Sequence, residues 1–113
     1  MIVNFQQADW AEQVKAAKPK LIWLETPSNP LLQITDIRAV CDVAKPLNAL
    51  VLVDNTFLSP VLQNPIALGA DLVLHSTTKY LNGHSDIVGG ALIIKDAALG
   101  DELKWWANCL GVT

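Results

Sequence analysis

Asn29, Asp54 and Lys79 stand at equal 25-residue intervals, each shortly after an apolar run. Asp54 directly follows Val51, Leu52 and Val53, so its carboxylate starts close to a core. A half-buried carboxylate needs a cation or several hydrogen-bond donors. Lys79 ends a run of hydroxyls, Ser76, Thr77 and Thr78, with no acid inside that loop. One ligand suits both ends. It carries a protonated ring nitrogen for Asp54, an aldehyde for Lys79 and a phosphate for Ser76 and Thr78. Pyridoxal phosphate has all three, and a lysine imine with an acidic partner for the pyridinium nitrogen is how proteins control it. Taken singly, each residue has an ordinary role. An Asp at a strand end caps turns, and Ser or Thr before a turn bonds to nearby backbone. The spacing places three groups on one rim without identifying the ligand.

The elements that position these residues alternate. Asp9 to Lys18 has helical composition, and Pro19 ends it. Leu21 to Leu24 is a short apolar run, hence a buried strand. Thr26 to Pro30 holds two prolines in five residues and reads as a loop. Asp36 can cap a helix reaching about Lys45, with Ile37, Val40, Cys41 and Ala44 on one face and Pro46 as the stop. Leu50 to Val53 is a second strand. Leu62 to Leu68 reads as a short helix closed by Gly69. Asp71 to Leu74 is a third strand and Val88 to Ile94 a fourth, of open direction. Asp101 to Leu110 is a final helix. The pattern predicts an α/β fold with a mostly parallel sheet. The solid apolar strands predict helices on both faces. Ligands in such sheets sit at the carboxyl ends of the strands, where Glu25, Asn29, Asp54, Asn55, Thr56 and the His75–Lys79 run all emerge.

Composition removes several function classes. The chain has 113 residues, 51% apolar and only 17% charged, with net charge −3. No basic block offers a nucleic-acid footprint. The apolar runs are too short to cross a bilayer, and the first residues have no signal-peptide layout. Cys41 and Cys109 lie far apart and form neither a disulfide framework nor a metal pair. His75 and His84 lack ligand-spaced partners, so no metal is expected. No GxGxxG or phosphate-loop signature is present. Cytoplasm is the default compartment. The apolar content and the absence of internal linkers read as one segment of a longer protein.

Three linked motifs, in order, carry a resemblance. Asp71 to Ser85 (DLVLHSTTKYLNGHS) is similar to the lysine-attachment signature of the pyridoxal-phosphate-dependent enzymes of cysteine and methionine metabolism. Glu25 to Pro30 (ETPSNP) and Val53 to Phe57 (VDNTF) resemble that family's two other active-site loops. Residues 54–64, 74–86 and 105–113 most resemble its γ-synthase branch, and less its β-lyase, γ-lyase and sulfhydrylase branches.

The resemblance implies part of a fold-type-I, aspartate-aminotransferase-like large domain spanning residues 1–113. It implies γ-replacement on an O-acyl-L-homoserine by L-cysteine, giving cystathionine. Lys79 would hold the cofactor and shuttle protons, and Asp54 would pair with the pyridinium nitrogen. Ser76 and Thr78 would hold the phosphate, Asn29 would sit near the phenolic oxygen, and Thr56 would line the ring's inner face. Glu25 would act as a supporting carboxylate, with Tyr80 and Asn82 shaping the loop. The family's enzymes are several times longer. Their upstream phosphate loop, stacking tyrosine and substrate-carboxylate arginine would lie outside this chain, and each site is completed by a neighbouring subunit. Small amino-acid substrates and a homo-oligomer are the implied partners. The competing expectation is a non-catalytic segment that only associates.

Overall fold

The computed structural model describes residues 1–112. Four strands form one sheet in the order β1 (Leu21–Glu25), β2 (Leu50–Asp54), β3 (Leu72–Ser76), β4 (Gly90–Ile94). The first three are parallel. Leu21 pairs with Leu50 and Glu25 with Asp54, while Leu52 pairs with Leu72 and Asp54 with Leu74. The direction left open by the sequence is antiparallel. β4 runs against β3, with Ser76 opposite Gly90 and Leu72 opposite Ile94. A loop suffices there because an antiparallel return needs no crossover helix.

The β1–β2 crossover is α2 (Ile37–Ala44), which continues into a 3₁₀ turn at Lys45–Leu47. Asp36 caps it by accepting from the Ala39 amide at 3.1 Å. Ile37, Val40 and Ala44, at the expected helical spacing, are buried. They meet Ile22, Leu24, Val51 and Val53 from one face of the sheet and Val14 from α1 (Trp10–Ala17). Burying side chains of this size contributes about 1.5–3 kcal/mol each. This cluster is the core.

Strand alternation divides the sheet into two faces. α1 and α2 cover the Ile22, Leu24, Val51 and Val53 face. On the opposite face of the sheet Leu52 is buried, while several other apolar side chains stay partly exposed. Leu21 is 45% exposed, Trp23 62%, Leu50 37% and Leu92 42%.

Two further elements differ from expectation. The β2–β3 connection is helical at α3 (Ser59–Leu62), not at Leu62–Leu68. Pro60 in the first turn was the start signal, since proline suits that position. Residues 65–69 form turns closed by Leu68 and Ala70 amides on the Pro65 carbonyl and by the Gly69 amide on the Ile66 carbonyl. Gly69 takes a positive φ of 111° there. The last helix, α4 (Ala97–Leu110), starts four residues early because Asp96 caps it at the Leu99 amide (2.8 Å).

Both cysteines are free thiols; Cys109 is exposed and Cys41 half-buried. Burial first, then the negative charges of Asp71 and Asp42, push the Cys41 thiol up from its ordinary value. A raised pKa leaves less thiolate near pH 7. Iodoacetamide at pH 7 is expected to modify Cys109 roughly tenfold faster than Cys41, the gap closing as pH rises. Peptide mapping over a time course checks this, and equal rates would contradict it.

Candidate active site

β1, β2 and β3 all release their chains at one rim of the sheet. Register places Glu25 beside Asp54, and both lie on the face that α1 and α2 leave open. Ser76 ends β3 on that same face by strand alternation. Over this rim lies a cavity of about 590 Å³ lined by Glu25, Asn29, Asp54, Thr56, Ser76, Thr78 and Lys79. That size suits a small cofactor. The structure thus brings together the six candidate cofactor-binding residues and the supporting Glu25, while Asn82 is not among the lining residues. Phe57, Tyr80, Gly83 and Ser85 also line the cavity. Of these, Tyr80 is the residue to which the resemblance gives a loop-shaping role; Phe57, Gly83 and Ser85 lie inside the motifs already quoted, but composition gives no reason to single them out.

Each loop is held locally. The Asp54 carboxylate folds back, its Oδ1 accepting from the Thr56 amide at 3.0 Å. This is the turn that an Asp at a strand end favours. Oδ2 has no protein donor among the described residues, so one carboxylate oxygen remains for a ligand. After β1, residues 28–33 close on themselves. The Ser28 amide donates to the Gln33 carbonyl (3.0 Å) and the Leu32 amide to the Ser28 carbonyl (2.7 Å). The Asn29 amide donates to Glu25 Oε2 at 3.2 Å. Glu25 therefore supports the Asn29 loop from the strand end.

Lys79 sits in a wide turn of π type, Thr77–Leu81, and its own backbone (φ −90°, ψ −122°) leaves the helical region. Asn82 and Gly83 amides close the turn on the Thr77 (3.0 Å) and Lys79 (2.8 Å) carbonyls. The start of β4 braces it from outside. Thr77 and Thr78 amides donate to the Gly89 carbonyl (3.0 and 3.4 Å). The Gly89 amide donates to Thr78 Oγ1 at 3.0 Å, and that hydroxyl reaches the Gly89 carbonyl at 3.3 Å. This last bond is long, so the Gly89 amide holds the hydroxyl more firmly than the hydroxyl holds the Gly89 carbonyl. Thr56 has a double position. It lines the cavity, and its Oγ1 accepts from the Ser76 amide at 2.8 Å, joining the Asp54 loop to the Lys79 turn.

The donor set fits pyridoxal phosphate. A carboxylate with a free oxygen, a lysine, and two hydroxyls beside that lysine face one cavity of suitable size. His75 stands apart. It is 4% exposed, and its Nδ1 is buried without a partner among the described residues. It alternates with Ser76 onto the other face of β3. No group of three or more His, Cys, Asp or Glu side chains able to hold a metal ion occurs among the described residues.

Comparison with known proteins agrees with this geometry. The sequence profile of the Cys/Met metabolism PLP-dependent enzymes matches residues 1–113. Cystathionine γ-synthase of Escherichia coli (strain K12) is 63% identical over 98 residues, which is 87% of this chain and 25% of that protein. A solved cystathionine γ-synthase from Xanthomonas oryzae pv. oryzae, in complex with aminoacrylate and cysteine, matches with a TM-score of 0.96 at 57% identity. It covers 100% of this chain and 29% of its own. A cystathionine γ-lyase from Lactobacillus plantarum complexed with L-serine follows at TM-score 0.93 and 43% identity, covering 99% of this chain and 29% of its own. The chain spans about a quarter of the length of the curated relatives it matches. The expected architecture is borne out: a mixed, mostly parallel four-stranded sheet with helices, consistent with fold type I.

A Cβ on Gly89 would lie 2.7 Å from Thr77 Oγ1. Gly89→Ala is therefore expected to displace the Lys79 turn and destabilise by about 1–3 kcal/mol. Thr77→Ala in the same chain should recover much of that loss. Urea unfolding of the single and double variants checks both, and a neutral Gly89→Ala would contradict the contact.

Proposed function

The chain belongs to the Cys/Met metabolism PLP-dependent enzyme family, and from that premise we propose that residues 1–113 are part of the pyridoxal-phosphate-binding large domain of a trans-sulfuration enzyme. The complete protein, on this reading, carries out γ-replacement on an O-acyl-L-homoserine by L-cysteine and gives cystathionine. The carrying observation is that Lys79 and the free carboxylate oxygen of Asp54 meet at one cavity, with the Ser76 and Thr78 hydroxyls beside the lysine. The 63% identity to a cystathionine γ-synthase, against 52% for a cystathionine γ-lyase in the same kind of comparison, supports γ-replacement over elimination. The same reading takes the complete protein as a cytoplasmic homo-oligomer acting on small amino-acid substrates.

The cofactor, when bound, supplies an aldehyde that condenses with amines and a ring that withdraws electrons from the substrate's carbon skeleton. The residues of this chain do the rest. Asp54, anchored through Oδ1, would present Oδ2 to the ring nitrogen and keep it protonated. Ser76 and Thr78 would donate to the phosphate, and the Gly89 brace keeps their turn in place. Asn29, on a loop that Glu25 fixes, would stand by the phenolic oxygen, with Thr56 against the ring's inner face. Lys79 Nζ is the amine of the cavity lining. With substrate bound, that amine would carry protons among the α, β and γ carbons. The Cγ–O bond would break with the acyl group leaving as a carboxylate, and the cysteine sulfur would bond to the γ carbon with loss of its thiol proton.

In the complete protein, Lys79→Ala is expected to lower cystathionine formation by at least about 10²–10⁴-fold, the range of a lost proton carrier. Borohydride reduction with bound pyridoxal phosphate, followed by peptide mapping, should label Lys79 in the wild type and leave that peptide unlabelled in the variant. Unchanged turnover, or a label on another lysine, would overturn the reading. Asp54→Asn should lower kcat by more than it raises KM, because an amide cannot hold the ring nitrogen protonated. Steady-state kinetics on the same preparation check this.

A further inference from the structure

Below the cavity a run of half-buried side-chain hydrogen bonds joins the three loops. The β1–β2 register ends at Glu25 and Asp54, so no strand ladder ties the chains beyond it. One side chain bridges that gap. Gln63, just after α3, donates from Nε2 to the Thr26 carbonyl at 3.1 Å and to Asn55 Oδ1 at 2.9 Å. Asn55, fully buried, donates from Nδ2 to the Ser59 (3.1 Å) and Gln63 (2.9 Å) carbonyls. Its amide donates to the Leu74 carbonyl of β3 at 2.9 Å. The next residue, Thr56, receives the Ser76 amide at 2.8 Å. The path therefore runs from Thr26, three residues before Asn29, through Gln63 and Asn55 to Thr56 and the Lys79 turn.

We propose that Gln63 is a positioning residue: its side-chain amide sets the spacing between the Asn29 loop and the Asp54 loop without touching the ligand. Both Nε2 protons are used, one on each loop. No other residue type of similar size offers two donors at one atom in that plane. Gln63 lines a separate small cavity beneath the rim, with Asn55 and His75, and not the cavity of the active site. Glutamate there would turn two acceptors toward its own oxygens and leave Thr26 O and Asn55 Oδ1 unmatched, and buried unmatched acceptors are expensive. Leucine would keep the bulk and remove both donors. The inference rests on the pyridoxal-phosphate reading for its ligand, while the tie itself stands on the hydrogen bonds.

The test uses the complete protein with Gln63→Glu and, as a second variant should the first fold poorly, Gln63→Leu. Amide hydrogen exchange and the dissociation constant for pyridoxal phosphate are measured on each. Expected is exchange about tenfold faster in residues 26–35 and 55–59, with β2 unchanged, together with pyridoxal phosphate binding weakened about tenfold. Unchanged loop exchange overturns the proposal. Loosened loops with unaltered cofactor affinity also overturn it, as does faster exchange throughout β2, which would mark a general structural role. A wild type that binds no pyridoxal phosphate would defeat the functional reading, and the loop exchange alone would then decide the tie.

Discussion

Parallel strands cannot be joined by a tight turn. The chain must leave at the carboxyl end, cross over and re-enter at the other end. β1, β2 and β3 obey this through α2 and the α3 connection, so three successive exits fall on one rim. Everything chemical in the molecule follows from that constraint. Asp54 is on the rim because β2 ends there, and Lys79 because β3 ends three residues before it. The pleat then selects a face. Glu25, Asp54 and Ser76 all project away from the α1–α2 core, so the cavity lies over the open side of the sheet.

A rim built only from loops would be loose, because backbone ladders stop where the strands stop. Here side chains continue the ladder. Thr56 accepts from Ser76, Gln63 reaches Thr26, Glu25 accepts from Asn29, and Gly89, just before β4, braces Thr77 and Thr78. Each is a net contribution of about 1 kcal/mol or less alone. Together they fix where the carboxylate, the amine and the hydroxyls stand relative to one another, and that fixed geometry is what lets polar groups act at full strength.

Much of this was legible in the residues. Apolar runs gave the strands, the spacing of Ile37, Val40 and Ala44 gave α2, and the polar residues after each run gave the rim. What stayed hidden has physical causes. The direction of β4 depends on whether its partner edge is approached from above or below, which no local pattern encodes. α3 was misplaced because Leu62 to Leu68 looks helical, while the start signal, Pro60, lies upstream. The Asp96 cap of α4 passed unremarked for the same local reason. Gln63 carries no chemistry of its own, and only the fold reveals that its amide spans 37 residues of sequence to reach Thr26. Gly89 is similar: its missing side chain matters only because Thr77 is there.

The open face has a colloidal consequence. Leu21, Trp23, Leu50 and Leu92 spread an apolar surface across a sheet whose outer strands, β1 and β4, have unpaired edges among the described residues. Bare apolar area next to an open strand edge is the usual seed of sheet-to-sheet stacking. The sequence pI near 5.1 means that charge repulsion fades as solutions become mildly acidic. The same face that leaves room for a ligand over the rim thus makes solubility of this segment a matter of keeping that surface covered and the pH well above 5.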